Sequence, residues 1–199
     1  MAEGPPHLKA TYNEIHKLIR ESAKRIAEFQ PNMFVAIGGG GFFPARVLRT
    51  FLKDSTTKKN IPIHAIGLSL YEPIPGVNSE KLGIEVVRTQ WPTSAKIFFG
   101  KRILVIDEID DSRTTLQYAL AELQKDIDAE LIQLPESERE RNRPKFAIFV
   151  VHNKIKQKEG KLPPTIPYYA AAEVPDLWLD YPWEIEDIDE HDRLAASQK

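Results

Sequence analysis

Between Tyr12 and Phe29, apolar residues fall at Ile15, Leu18, Ile19, Ile26 and Phe29, a helical spacing that predicts a packing helix capped at Asn13. Gln30-Pro31-Asn32 ends it. A different pattern follows. Residues 33–37, 61–70, 103–106 and 145–151 are short, nearly continuous apolar runs, as expected of strands buried on both faces of a parallel sheet. Val47, Leu48, Phe51 and Leu52 line one face of a helix after the first run, and Leu116, Ala119, Leu120 and Leu123 do so after the third. Strands alternating with amphipathic helices predict an α/β fold, a parallel sheet with helices on both faces.

Three stretches break this rhythm. Two prolines and a glycine interrupt residues 71–81 before alternation resumes at Ile84-Glu85-Val86-Val87-Arg88, which predicts a β-hairpin lid over about 71–88. Asp126 to Arg143 is dense in charge and reads as a solvated helix extension or connector. The tail from Tyr168 to Glu184 is too aromatic for a disordered terminus and predicts a small hood over about 165–190. There is no internal repeat and no long low-complexity linker, so residues 1–199 are expected to form one domain with its core at about 30–155.

Composition narrows the function classes. A net charge of −2 provides no electrostatic footprint for nucleic acid or an anionic membrane, so neither is expected as a partner. The absence of cysteine excludes disulfides and thiolate metal sites and fits a reducing cytosol. The N-terminus lacks a basic segment leading into an apolar run, and no apolar run approaches a membrane span, so a cytoplasmic location is expected.

The candidate chemistry lies where strands end. Residues 103–106 run into Asp107-Glu108-Ile109-Asp110-Asp111-Ser112-Arg113-Thr114-Thr115 and then a helix. Free amides at that helix start favour an anion, and Ser112, Thr114 and Thr115 add hydroxyl donors. Acids beside an anion site are repulsive unless the ligand also carries hydroxyls. Asp107 and Glu108 can accept from a ribose while the turn holds its 5′-phosphate, which points to a phosphorylated sugar. A capped acidic loop is the plainer reading of the same spacing. The first strand runs into Gly38-Gly39-Gly40-Gly41, whose backbone amides can approach a second anion closely. Neither the Walker nor the dinucleotide-binding spacing is present.

The stretch from Ile103 to Thr115 resembles the phosphoribosyl-pyrophosphate (PRPP) motif of type I phosphoribosyltransferases. Arg113 stands where a small residue is usual, a variant shared with the fungal xanthine and hypoxanthine-guanine enzymes. The resemblance implies a parallel-sheet fold with a flexible lid and a C-terminal hood, PRPP as co-substrate, Mg2+ as cofactor and a homodimer. It implies that Gly38 to Gly41 form the pyrophosphate loop, whose backbone takes an unusual peptide geometry when PRPP binds; related bacterial enzymes carry a basic side chain at the position of Gly39. It identifies Ser69-Leu70-Tyr71 as the opening of the lid and Arg88 as a pyrophosphate contact. Asp111 becomes the acid or base at purine N7, and Lys154 the donor to the 6-oxygen.

Asp176-Leu177-Trp178 with Pro182-Trp183-Glu184 resembles the tail of bacterial xanthine-guanine phosphoribosyltransferases. It implies that Trp178 stacks on the purine, Leu179 offers backbone groups to the 2-position edge, and Glu184 binds magnesium directly or through water. The expected reaction moves the 5-phosphoribosyl group of PRPP to N9 of xanthine, hypoxanthine or guanine, giving the nucleoside monophosphate and pyrophosphate. Two rivals remain: a non-catalytic PRPP-sensing regulator, for whose extra DNA-binding domain the roughly thirty residues before the first strand leave no room, and an enzyme acting on orotate or uracil.

Overall fold

The computed structural model describes residues 6–71 and 85–198, with side chains at 69–71 and 85–87 left aside. In chain order the elements are β1 (His7–Lys9), α1 (Tyr12–Phe29), β2 (Met33–Gly38), α2 (Phe42–Phe51), β3 (Ile63–Tyr71), β4 (Glu85–Gln90), β5 (Arg102–Asp110) and α3 (Thr114–Leu131). They continue with α4 (Glu136–Asn142), β6 (Lys145–Lys154), β7 (Tyr168–Val174), β8 (Trp178–Asp180) and α5 (Ile188–Ser197).

The main sheet has the order β4-β3-β2-β5-β6-β7. Every neighbouring pair in it is parallel except β3 with β4. Burial explains the continuous apolar runs. Phe34 and Ala36 of β2, Leu104 and Ile106 of β5, and Ala147 and Phe149 of β6 pack with α1 and α2 on one face. Met33, Val35, Ile103, Val105, Ile148 and Val150 pack with α3 on the other. Successive strand residues point to opposite faces, so strands covered on both sides need apolar residues at every position.

Three boundaries differ from the sequence expectation. The cap of α1 is Thr11, not Asn13: its side chain accepts from the Glu14 amide while the Glu14 carboxylate accepts from the Thr11 amide. β5 does not end before the acids but continues to Asp110, which pairs with Asn153, because β6 carries the ladder that far. The charged segment after Asp126 continues the helix as expected, with Ile127 and Leu131 keeping its inner face buried, and α4 follows. The hood is built from both ends of the chain, with β8 running parallel to β1 and pairing Leu8 with Leu179. Asp180 accepts from Lys9 Nζ at 2.6 Å and lies 2.9 Å from His7 Nδ1, and Gln198 after α5 ties back to the His7 carbonyl and Lys9 amide.

The lid expected over 71–88 falls mostly outside the described residues, as do the side chains of Ser69 and Tyr71. Its flanks are described, and they form the antiparallel pair β3 and β4.

Candidate active site

Three loops leave the carboxyl ends of adjacent parallel strands: Gly39 to Gly41 after β2, Asp111 to Arg113 after β5, and the segment following Lys154 after β6. Ligands of open α/β sheets sit at this edge. A cavity of about 570 Å³ occupies it, lined by Gly38, Leu68, residues 107–113, Thr115, Lys156 and Glu159 among others.

The glycine loop is folded tightly. The Gly38–Gly39 peptide is cis. A Cβ at Gly40 would overlap the Glu108 carboxylate, and one at Gly41 would lie 2.5 Å from the Ile37 carbonyl oxygen and 2.6 Å from that of Ile106. At Gly39 a Cβ would meet nothing within 4 Å.

The acids occupy distinct environments. Asp107 is buried, and burial together with the neighbouring Glu108 charge raises its pKa well above the carboxylate range. Glu108 Oε2 is buried without a hydrogen-bond partner among the described residues. Asp111 lies nearer the solvent and accepts from Lys154 Nζ at 2.8 Å and Lys156 Nζ at 2.7 Å. Partial burial works to raise its pKa, but the two lysines outweigh it and hold the carboxyl below its ordinary value. Both lysines also pair with Asp176, at 3.4 and 3.1 Å. Asp111 is thereby joined to the start of the hood.

The turn from Ser112 to Thr115 begins α3. Ser112 Oγ donates to Thr114 Oγ1 at 3.0 Å and accepts from the Thr114 amide at 3.3 Å. Arg113 has φ 71°, in the left-handed region. The loop after β6 straps this turn: Lys158 Nζ donates to the carbonyls of Asp110 and Asp111, and the amides of Glu159 and Gly160 donate to that of Ser112.

The purine-side residues are placed as follows. Lys154 is 7% exposed and tied to Asp111, so the two expected base contacts are adjacent. Trp178 is 59% exposed, with its ring 6.3 Å from that of His7, and is not among the residues lining the cavity. Leu179 has a buried side chain. The Trp178 amide donates to Pro6 and the Asp180 carbonyl accepts from Ala10, so β8 uses residues 178 and 180 toward β1 and turns the Leu179 amide and carbonyl to the opposite edge. Trp183 stacks between Phe43 and Tyr181 at 4.9 and 4.8 Å, as a core cap. Burial and the Glu108 charge raise the Glu184 pKa. Among the described residues no group of three or more histidine or acidic side chains converges as a metal cage.

Arg88 lies elsewhere. It pairs with Glu122 and, at 2.8 Å, with Asp126 on α3, and its guanidinium covers the Trp91 ring at 4.3 Å. A pyrophosphate contact would require it to leave both acids.

Sequence reading missed Asp110, Lys156, Lys158, Tyr168, Tyr181 and His152. The last two form a relay behind the site. The Tyr181 hydroxyl donates to the Glu108 carbonyl at 3.1 Å and lies 2.9 Å from His152 Nδ1. A carbonyl only accepts and the hydroxyl carries one proton, so Nδ1–H must be the donor to Tyr181. Burial lowers the His152 pKa from 6.5 to about 4. Below pH 6.5 the unfolded chain binds a proton that the folded protein refuses, so this contribution is complete above 6.5 and is lost as pH falls toward 4. Stability should therefore fall by about 2 kcal/mol between pH 7.5 and 5 on account of this group. Urea unfolding of the wild type and of His152→Phe at both pH values measures it; equal losses would show that His152 does not carry the effect.

No protein-family model matches the chain. Curated relatives do. The hypoxanthine-guanine phosphoribosyltransferase of Schizosaccharomyces pombe is 49% identical, with 96% of each chain covered. Xanthine phosphoribosyltransferase 1 of Saccharomyces cerevisiae is 46% identical, with 94% of each chain covered. Among solved structures, a hypothetical protein from Neisseria gonorrhoeae with bound ppGpp is 36% identical and superimposes with a TM-score of 0.78 over 99% of both chains. Identity of this order over nearly the whole length, on a sheet edge of the geometry described, means that the chain belongs to the purine phosphoribosyltransferases.

Proposed function

We propose that this protein transfers the 5-phosphoribosyl group of PRPP to N9 of a 6-oxopurine, releasing pyrophosphate and the nucleoside 5′-monophosphate. The observation that carries this reading is the Asp111–Lys154 pair, a carboxylate and an ammonium 2.8 Å apart beside a helix N-terminus lined with hydroxyls. N7 and the 6-oxygen of an oxopurine are neighbouring atoms. One pair of side chains can therefore meet both while the turn holds the ribose 5′-phosphate.

In this reading the amides and hydroxyls of Ser112, Thr114 and Thr115 bind the 5′-phosphate, Asp107 and Glu108 accept from the ribose hydroxyls, and the amides of Gly38 to Gly41 meet pyrophosphate. Trp178 stacks on the base, and Leu179 directs its backbone to the 2-position edge. The anomeric carbon gains oxocarbenium character. The chain's task is to orient the two ligands, offset the pyrophosphate charge and exclude water. Lys154 stabilises electron density on the 6-oxygen while Asp111 holds or moves the proton at N7.

Magnesium fits the residues present. Glu108 Oε2 is buried without a partner and Asp107 is pushed toward its protonated form, two costs that a cation at the ribose hydroxyls would lower. Asp107 and Glu108 would hold it through PRPP and water, with Glu184 nearby. When bound it would offset charge on the departing pyrophosphate.

The N. gonorrhoeae protein's bound ppGpp, a guanine nucleotide, supports a fold of this kind holding a purine and phosphates together. The test is a panel of xanthine, guanine, hypoxanthine, adenine and orotate with PRPP and Mg2+, comparing kcat/KM. Turnover of 6-oxopurines supports the proposal and ranks them. PRPP binding with no turnover of any base would favour a sensor instead. Trp178→Ala should raise the KM of the preferred base about tenfold, the loss of one base–aromatic stack, with the KM for PRPP nearly unchanged; an unaltered base KM would remove Trp178 from the site.

A further inference from the structure

An arginine in a phosphate-binding turn is ordinarily read as a phosphate ligand. In this structure the Arg113 guanidinium, at the edge of the cavity, is engaged by an interior carboxylate. Its Nε donates to Asp110 Oδ2 at 2.9 Å, its Nη2 pairs with the same oxygen at 2.8 Å, and its guanidinium lies over the Tyr168 ring at 5.1 Å. The same Asp110 oxygen accepts from the Tyr168 hydroxyl at 2.7 Å. The Asp110 side chain is 0% exposed. Its Oδ1 has no hydrogen-bond partner among the described residues, with Lys158 Nζ 3.6 Å away. An interior carboxylate is costly unless a cation meets it, and Arg113 is the cation in direct contact.

Reaching that carboxylate is coupled to the backbone. Arg113 adopts φ 71°, which a side-chain-bearing residue rarely takes, and it does so at the residue before α3. This conformation sets the direction in which the Ser112 hydroxyl and the first amides of α3 point.

We propose that Asp110 and Arg113 act as one positioning unit. The guanidinium neutralises a carboxylate inside the protein rather than a phosphate in the cavity, and in doing so it fixes the Ser112–Thr115 turn in its phosphate-receiving form. Tyr168 shares the same carboxylate oxygen from β7. The turn keeps its left-handed residue, and an acid one position before Asp111 engages its side chain. This inference rests on reading the turn as the PRPP 5′-phosphate site.

The test is a cycle of Asp110→Asn, Arg113→Gly and the double variant, measured by PRPP titration calorimetry, by KM for PRPP and for purine, and by thermal unfolding. Glycine accepts φ 71° without steric cost, so Arg113→Gly removes the pair and not the conformation. Each single variant should weaken PRPP about tenfold while the purine KM moves much less, and the double variant should be no worse than either single one. Tyr168→Phe should shift PRPP affinity the same way by a smaller factor, which keeps the test open should a charge variant fold poorly.

If Arg113 instead contacts phosphate, Asp110→Asn leaves PRPP affinity unchanged or improved, Arg113→Gly alone loses it, and the double variant matches Arg113→Gly; that pattern overturns the proposal. Additive shifts in both PRPP affinity and thermal midpoint also overturn it. If the wild type binds no PRPP, the functional reading fails by itself, and the melting cycle still tests whether the two residues are coupled.

Discussion

Asp111→Asn is expected to lower kcat by about 10²- to 10⁴-fold, the usual worth of a positioned proton-transfer group, while the KM for PRPP changes little. Asparagine keeps the side-chain shape and can still accept from Lys154, so the loss would isolate the carboxylate charge. The structure adds a consequence for pH. Burial works against the ionised form, yet Lys154 and Lys156 together keep the Asp111 pKa below its ordinary value. The free enzyme therefore carries Asp111 as a carboxylate at neutral pH, a proton acceptor in advance of the base. Ionisation of Asp111 should place the midpoint of any acid limb in kcat/KM below the ordinary aspartate value of 3.8. Removing one of the two cations by Lys156→Gln should move that limb upward. Unchanged turnover in Asp111→Asn would release the residue from the chemistry, and an unmoved limb in Lys156→Gln would show that Lys156 does not govern its charge.

How much of this was legible in the chain depends on whether a residue's partner lies nearby in sequence. β5 could be read because Ile103 to Ile106 are apolar at consecutive positions, and both faces of that strand are covered in the structure. The Ser112–Thr115 turn could be read because its hydroxyls, amides and helix start are contiguous. Asp110 could not. It looks like one more acid in a solvated cluster until β6 extends the ladder to it and Tyr168, 58 positions away, donates to it. Lys156 and Lys158 are indistinguishable from surface lysines until the loop after β6 folds back on the Asp111 turn. The β1–β8 ladder has three residues in each strand, too few for a periodicity signal, and its ends lie more than 170 positions apart. Arg88 shows the reverse limit: a resemblance located its position, but its present side-chain partners belong to α3.

The glycine loop offers a graded prediction, because three consecutive glycines face three different kinds of neighbour. Gly39→Ala should be nearly silent in stability, since its Cβ would enter open space. At Gly40 the Cβ would meet the end of the Glu108 side chain, which can rotate away without moving the sheet. Gly40→Ala should therefore melt close to the wild type but bind PRPP more weakly, as Glu108 leaves its place beside the proposed ribose site. Gly41 has no such freedom. Its Cβ would be driven against the carbonyl oxygens of Ile37 and Ile106, backbone atoms of the two central strands β2 and β5, and neither can retreat without disturbing the pairing of its strand with a neighbour. Overpacking against fixed atoms falls at the upper end of its usual cost, about 3 kcal/mol, or roughly 6–12 °C in thermal midpoint for a chain of this size. Differential scanning calorimetry of the three variants beside their kcat/KM values separates the roles. A Gly41→Ala protein that melts with the wild type would mean that the loop sits farther from the sheet than a 2.5 Å approach to the Ile37 carbonyl allows. A fully active Gly40→Ala protein would mean that the position of Glu108 does not matter to PRPP. The order expected in stability loss, Gly41 well above Gly40 and Gly40 above Gly39, follows from whether the obstructing atom is backbone, side-chain end or absent.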